Sequence, residues 1–163
     1  MPYTQLFYHI VWATKNREPL VTPDVEEMIY DLLRSKAIGL GGTVFALNGM
    51  PEHMHLVTTI PAKIAVSTFV GQVKGVASTR FNKSGTRAEP LFWQEGYGAF
   101  TFDAKRLPSY IAYVERQKEH HAQGSVIPIL ERTDDFTVQL VREDPAIYAI
   151  NDSVWRAEMH ALS

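Results

Sequence analysis

Residues 42–60, "GTVFALNGMPEHMHLVTTI", predict two β-strands joined by a turn. β-Branched and aromatic residues fill both ends of the stretch, and an Asn-Gly pair with a following proline interrupts it at 48–51. Because successive strand side chains point to opposite faces, His53 and His55 share one face while Met54 lies on the other. We therefore expect a hairpin whose second strand carries two neighbouring imidazoles.

The segments on either side of this hairpin give the order β-α-β-β-α-β, followed by a third helix. Strands are predicted over 5–14 and, as one strand or a bent pair, over 91–102; helices are predicted over about 23–38, 64–82 and 104–122. This order is the ferredoxin-like one, an α+β fold in which an antiparallel sheet carries two helices on one face. We expect a domain over 1–123 and an acidic C-terminal extension of unknown role over 124–163.

The composition is that of a globular protein. The chain has 163 residues, of which 45% are hydrophobic, enough for one core. The absence of cysteine excludes disulfides, thiolate zinc sites and thiol catalysis. The sequence has no apolar run near the ~20 residues that span a bilayer. Because it also shows no secretory signal, we expect a cytoplasmic protein.

Charge is distributed unevenly along the chain. Residues 1–122 carry 13 basic and 11 acidic side chains, whereas residues 123–163 carry 3 and 7. A weakly basic body with an acidic tail permits a polyanionic partner, and it equally permits an ordinary solvated surface.

The histidine pair is a candidate metal site. Two imidazoles one strand position apart can reach a single divalent ion. Imidazole suits zinc, manganese or iron, and it tolerates magnesium where oxygen ligands complete the coordination. The alternative is a polar strand face on which His53 and His55 simply bond to neighbouring groups.

The third helix carries a second candidate group. In "AKRLPSYIAYVERQKEHH", residues 104–121, the aliphatic side chains at 107, 111 and 114 form a core stripe. Tyr113, Gln117 and His120 follow i, i+4, i+7 spacing and form a second stripe beside the first. A tyrosine and an amide one turn apart can face a metal on the sheet; alternatively, Tyr113 only flanks the core. His120 needs no ligand role, because a cation in the last turn already favours the helix dipole.

These motifs together resemble the single-tyrosine HUH transposases, in which HUH denotes two histidines around a bulky apolar residue. That family acts on single-stranded insertion sequences and includes the transposases associated with repetitive extragenic palindromes. The resemblance rests on an ordered set of segments: "YHIVWATKNREPLV" at 8–21, "MPEHMHLV" at 50–57, "LFWQEGYGAF" at 91–100 and "YVERQKEHH" at 113–121. It covers roughly residues 3–122, and its specificity lies in the combination.

The resemblance implies a metal-dependent transposase of single-stranded DNA that carries a hairpin. His53 and His55 would bind Mg²⁺ or Mn²⁺, with the side-chain oxygen of Gln117 as third protein ligand. The Tyr113 oxygen would attack the scissile phosphate and give a 5′-phosphotyrosine and a free 3′-hydroxyl. Because the phosphodiester energy is retained for rejoining, no external energy source is needed. The protein would be a bacterial, nucleoid-associated endonuclease and strand transferase.

The resemblance also implies partners. Family dimers commonly share active sites, so we expect a homodimer in which Tyr113 serves the histidines of its own or of the partner subunit. Candidates for phosphate contact, chosen by charge and position, are Lys15, Arg17, Lys74, Arg80 and Lys83. Candidates for stacking on unpaired bases are Trp12, Phe92, Trp93 and Tyr97, although aromatic strand residues more often belong to a core.

Other functions fit parts of the sequence. A domesticated relative that binds DNA hairpins without cleaving them would keep the same fold and surface, so the sequence does not exclude it. A histidine-triad nucleotide hydrolase needs a third histidine after a second apolar residue, and Val57 stands there instead. A two-histidine phosphoesterase needs two separated His-x-Thr motifs, which "HMH" and "HLV" do not supply.

Overall fold

Four strands form one antiparallel sheet in the computed structural model, which describes residues 3–133 and residue 161. The strands are β1 (Phe7–Ala13), β2 (Val44–Met50), β3 (His53–Thr59) and β4 (Gly98–Phe102), in the order β2-β3-β1-β4. The ferredoxin-like prediction is confirmed. Most of the acidic extension lies outside the described residues.

Helices cover both faces of the sheet. On one face lie α1 (Glu26–Gly39) and α2 (Val66–Ser84), which pack on the side chains of Ile10, Trp12 and their neighbours in the main hydrophobic core. On the other face lie α3 (Leu107–Glu115) and α4 (Gln117–Gln123), followed by a short 3₁₀ turn at Pro128–Glu131. None of the helices in the described part of the chain is long and apolar enough to cross a membrane.

The third helix was predicted as one element over 104–122, but it breaks at Arg116, whose φ and ψ of −100° and 21° are not helical. At this point two side chains donate hydrogen bonds to backbone carbonyls of the helix. The Asn48 amide donates to the carbonyl of Glu115 at 3.0 Å, and the Gln117 amide donates to that of Tyr113 at 3.4 Å. Side chains that enter the helical hydrogen-bond ladder are a recognised cause of kinks. The spacing of Tyr113 and Gln117 on one face survives, because the bond between them spans the break.

The strand predicted over 91–102 is also shorter in the structure, because residues 91–97 form a loop. The buried ammonium of Lys74, on α2, donates to the carbonyls of Gln94 and Gly96 at 2.6 and 3.1 Å, with that of Glu95 at 3.5 Å. Carbonyls that point at this ammonium are not available to a neighbouring strand. Burial lowers the pKa of Lys74 to about 8, so the group is still largely charged at neutral pH and offers three donors to these acceptors.

Replacement of Lys74 by methionine is expected to lower the free energy of unfolding by about 2–3 kcal/mol, because buried carbonyls lose their donor. Lys83→Met, on the exposed side of the same helix, is the matched control and should change stability by less than about 0.5 kcal/mol. Urea denaturation measures both. Equal midpoints for the two variants would show that Lys74 does not hold the loop.

Two glycines let the chain after α4 return across the start of β4. A Cβ atom on Gly98 would lie 2.0 Å from the carbonyl oxygen of Arg132, and one on Gly96 would lie 2.7 Å from that of Thr133. Only residues without a side chain permit this approach. Leu130 in this returning segment is buried in a second hydrophobic core, and Glu131 follows it directly. The other members of this second core are Ala46, Val57, Tyr110, Tyr113 and Val114.

Candidate active site

The two histidines of the opening motif lie at the centre of the sheet, on β3 between β1 and β2. Both are buried, at 1% and 0% exposure, and both face α3 and α4 rather than the main core. His55 bonds through Nδ1 to Nε2 of His9 on β1 at 2.8 Å, with the two rings nearly parallel. His53 bonds through Nδ1 to the Glu52 carboxylate at 3.0 Å. The Nδ1 atoms are thus engaged, and each Nε2 points away from the strand.

Glu131 meets both of these Nε2 atoms. Its Oε2 atom lies 2.9 Å from Nε2 of His55 and 3.1 Å from Nε2 of His53, although the second pair is poorly aligned for a hydrogen bond. His121 on α4 approaches the same oxygen at 3.6 Å. The three groups His53, His55 and Glu131 present donor atoms within 4.8 Å of one another. Two imidazoles and a carboxylate at this separation form a cluster that could hold a divalent ion.

Tyr113 reaches the same carboxylate from α3. Its hydroxyl donates to Oε1 of Glu131 at 2.5 Å and accepts from the backbone N–H of Ile127 at 3.0 Å. The tyrosine ring stands edge-on to His55, with ring centroids 6.1 Å apart. The sequence placed Tyr113 beside the core, but the structure buries it within the second hydrophobic cluster, at 4% exposure. Tyrosine and histidines of one chain are therefore adjacent.

Gln117 completes the inner edge of the site. It is fully buried at the start of α4, and its Oε1 atom has no hydrogen-bond partner among the described residues. A buried acceptor without a partner costs free energy, so such an atom suits a cation or a donor that the chain itself does not supply.

The electrostatics of the site are dominated by burial. Desolvation lowers the pKa of His9 and of His55, so both imidazoles favour the neutral form in which a ring nitrogen can bind metal. Burial alone would raise the pKa of Glu131, but the close approach of the His53 and His55 imidazoles to its carboxylate outweighs burial and holds this pKa well below its usual range. Desolvation and the nearby Glu131 carboxylate raise the pKa of Tyr113. The chain alone therefore keeps the phenol protonated.

The basic residues chosen as phosphate contacts fall into three places. Lys15 and Arg17 are exposed in the turn that follows β1. Arg80 and Lys83 are exposed on α2, which covers the opposite face of the sheet from His53 and His55. Lys74 is buried, and its bonds to the loop carbonyls argue against the direct phosphate contact that its charge suggested.

Glu131 is a site residue that the sequence patterns did not predict. It is 76 positions from its partner His55, in an irregular segment with no periodic pattern to mark which side chain turns inward. His9 was visible only as an extra polar residue in an apolar strand, and its bond to His55 explains why a histidine is buried there. The one sequence signal for Glu131 was its position directly after the apolar run 126–130.

Comparison with known proteins places this arrangement in a family. Residues 2–117 match the family model described as "Transposase IS200 like", which spans most of the chain and includes both histidines, Tyr113 and Gln117. This chain is an IS200-like transposase. The predicted family is thereby confirmed. Glu131 lies beyond the matched residues, so the carboxylate in this member's site comes from the C-terminal extension.

Relatives of this transposase are known from several bacteria. It is 28% identical over 120 residues to the ISDra2 transposase TnpA of Deinococcus radiodurans, which covers 71% of this chain and 86% of the relative. It is 26% identical over 135 residues to the transposases for insertion sequence element IS200 of Salmonella typhimurium and Salmonella typhi, which covers 80% of this chain and 88% of each relative.

Two solved structures share the fold. A Deinococcus radiodurans R1 crystal structure described as a transposase matches with a TM-score of 0.57 at 26% identity, over 71% of this chain and 93% of that one. A REP-associated tyrosine transposase, solved bound to a REP hairpin, matches with a TM-score of 0.56 at 16% identity, over 77% of this chain and 73% of that one. The second likeness is informative about the fold alone.

Proposed function

We propose that this transposase cleaves and rejoins single-stranded DNA near hairpins, with Tyr113 as nucleophile. One observation carries the proposal: the Tyr113 hydroxyl and the Nε2 atoms of His53 and His55 converge on the two oxygens of a single carboxylate. A nucleophile next to a cluster of cation ligands is the arrangement that attack on a phosphodiester needs. A REP-associated tyrosine transposase of the same fold was solved bound to a REP hairpin, and we propose hairpin-bearing DNA as the substrate class here as well.

The proposed reaction exchanges one ester for another. The Tyr113 oxygen forms a bond to phosphorus while the bond from phosphorus to the 3′-oxygen breaks, which leaves a 5′-phosphotyrosine and a 3′-hydroxyl. The proton that the phenol loses balances the one that the leaving 3′-oxygen gains. Because the number of phosphate ester bonds is unchanged, a second 3′-hydroxyl can reverse the step and join a new strand.

The chain's own groups position the nucleophile. Glu131 and the Ile127 N–H fix the Tyr113 hydroxyl from two sides, and the surrounding second core excludes water from the ring. His9 and Glu52 hold the His55 and His53 rings through Nδ1, which leaves each Nε2 free for another partner. Preorganised contacts of this kind lower the entropic cost of reaching the reactive geometry.

A divalent cation, Mg²⁺ or Mn²⁺, fits the donor set. His53 and His55 would hold it, with an oxygen from Glu131 or Gln117 as the third ligand; the unpartnered Oε1 of Gln117 and the poorly aligned Nε2 of His53 both suit a cation. Bound there, such an ion supplies Lewis acidity to a non-bridging phosphate oxygen. A histidine-triad hydrolase is not supported, because Val57 is a fully buried core residue.

The experiment that tests the proposal is incubation of the protein with Mn²⁺ and labelled single-stranded DNA that carries a hairpin from the flanks of its own gene. The expected result is a protein–DNA adduct that survives denaturation, together with a product that ends in a 3′-hydroxyl. Tight hairpin binding without any adduct would favour the non-cleaving alternative. Absence of binding to every hairpin tested would contradict both the cleaving function and the non-cleaving alternative.

We further propose that the nucleophile acts within its own chain, even if the protein is a homodimer in the bacterial cytoplasm. Mixing Tyr113→Phe protein with His55→Ala protein is then expected to leave cleavage at background, because no chain in the mixture has both groups. Size-exclusion chromatography with light scattering establishes whether mixed dimers can form. Cleavage restored in the mixture to about a quarter or more of the wild-type rate would show that active sites are shared between subunits.

A further inference from the structure

A cavity of about 620 Å³ lies between the turn at 15–17 and the loop at 92–95. We call it the loop cavity. Its volume is within the range of small-molecule sites, which commonly measure roughly 300–1,000 Å³. Strand register places it at the end of the sheet that carries His53, because Ala13, two residues before Lys15, is the β1 partner of His53. A bond from the Thr14 N–H to the carbonyl of Glu52 joins the turn to the chain just before His53.

The lining combines aromatic surface with positive charge. Phe92 is 52% exposed although it is large and apolar, and Trp93 is half-buried beside it. The Lys15 ammonium lies 5.8 Å from the centroid of the Phe92 ring. Within residues 3–133, no ion pair or hydrogen bond engages the side chain of Arg17. Among the described residues that line the cavity, Glu95 is the one acidic residue beside these two cations.

The walls of the loop cavity are fixed by the rest of the fold. Lys15 N–H donates to the Phe92 carbonyl at 3.0 Å, and the indole of Trp93 donates to the Lys74 carbonyl at 3.0 Å. The Lys74 ammonium in turn holds the carbonyls that follow Trp93. An aromatic face that is left half in water by a rigid loop is available to a partner without reorganisation.

The turn itself adopts a backbone conformation that costs free energy. Asn16 and Arg17 have φ values of 56° and 52°, in the left-handed region that side chains other than Asn and Asp rarely enter. Residues held in this way cluster at binding sites, where the surrounding structure imposes them. Here the result is that Lys15 and Arg17 both line the loop cavity.

We propose that the loop cavity binds one unpaired nucleotide of the DNA strand, with the base stacked on Phe92 and the adjoining phosphate contacted by Arg17. A flat aromatic face suits any base, and guanidinium suits phosphate. The cavity lies at the end of the sheet where β3 begins with His53, so the role we assign to this nucleotide is to hold the strand in register for cleavage by Tyr113. The inference rests on the proposed single-stranded DNA function and adds the site that holds the strand in register.

The base contact is tested with hairpin DNA that carries 2-aminopurine at each unpaired position in turn, bound to Tyr113→Phe protein so that the strand stays intact. We expect fluorescence quenching at one or two positions, loss of that quenching when Phe92→Ala is added, and about tenfold weaker binding. Tyr3→Ala is the matched control, because Tyr3 is an aromatic residue at 86% exposure outside the loop cavity. Equal quenching and affinity with and without Phe92 would overturn the proposal.

The phosphate contact is tested through the salt dependence of binding. Arg17→Asn removes the charge and keeps a residue type that tolerates positive φ, and it should reduce the slope of log affinity against log salt by about 0.7. Arg34→Asn is the matched control, because Arg34 lies on α1 and pairs with Asp31 at the surface. This substitution should leave the slope unchanged. An unchanged slope for Arg17→Asn would contradict the assignment.

Cleavage by the wild-type protein on the same DNA separates this inference from the function on which it rests. Cleavage without a Phe92-dependent signal rejects the loop cavity and leaves the transposase chemistry in place. A Phe92-dependent signal without cleavage supports the loop cavity and rejects the chemistry. No binding to any of the DNAs overturns both.

Discussion

Tyr113→Phe is expected to reduce cleavage of single-stranded DNA by on the order of 10⁴-fold or more, to background, because it removes the oxygen that we propose as the nucleophile. Phenylalanine keeps the ring that packs in the second core, so hairpin affinity should stay within about threefold of wild type, as expected where a substitution leaves uniform binding intact. The loss should therefore fall on the chemical step. A gel assay for covalent adduct and an equilibrium binding assay measure the two quantities separately.

A neighbouring tyrosine on the same helix supplies the control. Tyr110 is also buried in the second core, stacks on Phe102 and lies near His9, but no hydrogen bond links its hydroxyl to Glu131. Tyr110→Phe should keep adduct formation within about threefold of wild type, since it removes no attacking group. Loss of adduct in Tyr110→Phe with retention in Tyr113→Phe would reverse the assignment of the nucleophile.

Tyr113→Phe also has a small expected effect on stability. It leaves Oε1 of Glu131 without its hydroxyl donor, which costs about 1–2 kcal/mol for a partly buried charged acceptor. Urea denaturation of the variant confirms that it remains folded under the assay conditions. Loss of cleavage is then not a result of unfolding.

His55→Ala is expected to weaken Mn²⁺ binding by about 100-fold or more and to reduce cleavage in parallel. Loss of a residue that only holds a metal ligand in place already lowers metal affinity by about 10- to 100-fold, and His55 would be a ligand itself. Its Nε2 atom points at the cluster, whereas its Nδ1 is held by His9. Isothermal titration with Mn²⁺ in the absence of DNA measures the affinity directly. An affinity equal to that of wild type would exclude His55 as a ligand.

The same titration separates the two candidates for the third ligand. Glu131→Ala and Gln117→Ala each remove one oxygen donor from the buried site, and the larger loss of Mn²⁺ affinity identifies the ligand. Glu95→Ala, an exposed carboxylate in the loop cavity, controls for the loss of a negative charge. If all three variants bind Mn²⁺ with the wild-type affinity, neither Glu131 nor Gln117 binds the ion.

Local patterns predicted the fold well because the sheet depends on alternation and turn signals. The 42–60 hairpin, the helices α1 and α2 and the order of elements along the chain all follow from patterns within single segments. The two departures arise from tertiary contacts. Asn48 breaks the third helix at Arg116, and the Lys74 ammonium diverts residues 94–96 from the sheet. Neither contact has a sequence signal, because each joins side chain and backbone from distant elements.

The site was predictable in the part that depends on spacing. One strand position between His53 and His55, and one helical turn between Tyr113 and Gln117, brought all four residues to one face of the sheet. Burial of the tyrosine was not predictable, because it depends on how closely α3 approaches the sheet. Glu131 was not predictable either, since its inward turn requires Gly96 and Gly98 to admit the returning chain.

Peptide mapping of the adduct tests the central claim most directly. Wild-type protein is incubated with Mn²⁺ and hairpin-bearing single-stranded DNA, digested with nuclease and protease, and sequenced by mass spectrometry. The account predicts a nucleotide linked through its 5′-phosphate to Tyr113, in the peptide that also contains Tyr110. Cleaved DNA with the nucleotide on any other residue, or cleaved DNA with no linked peptide at all, would contradict it.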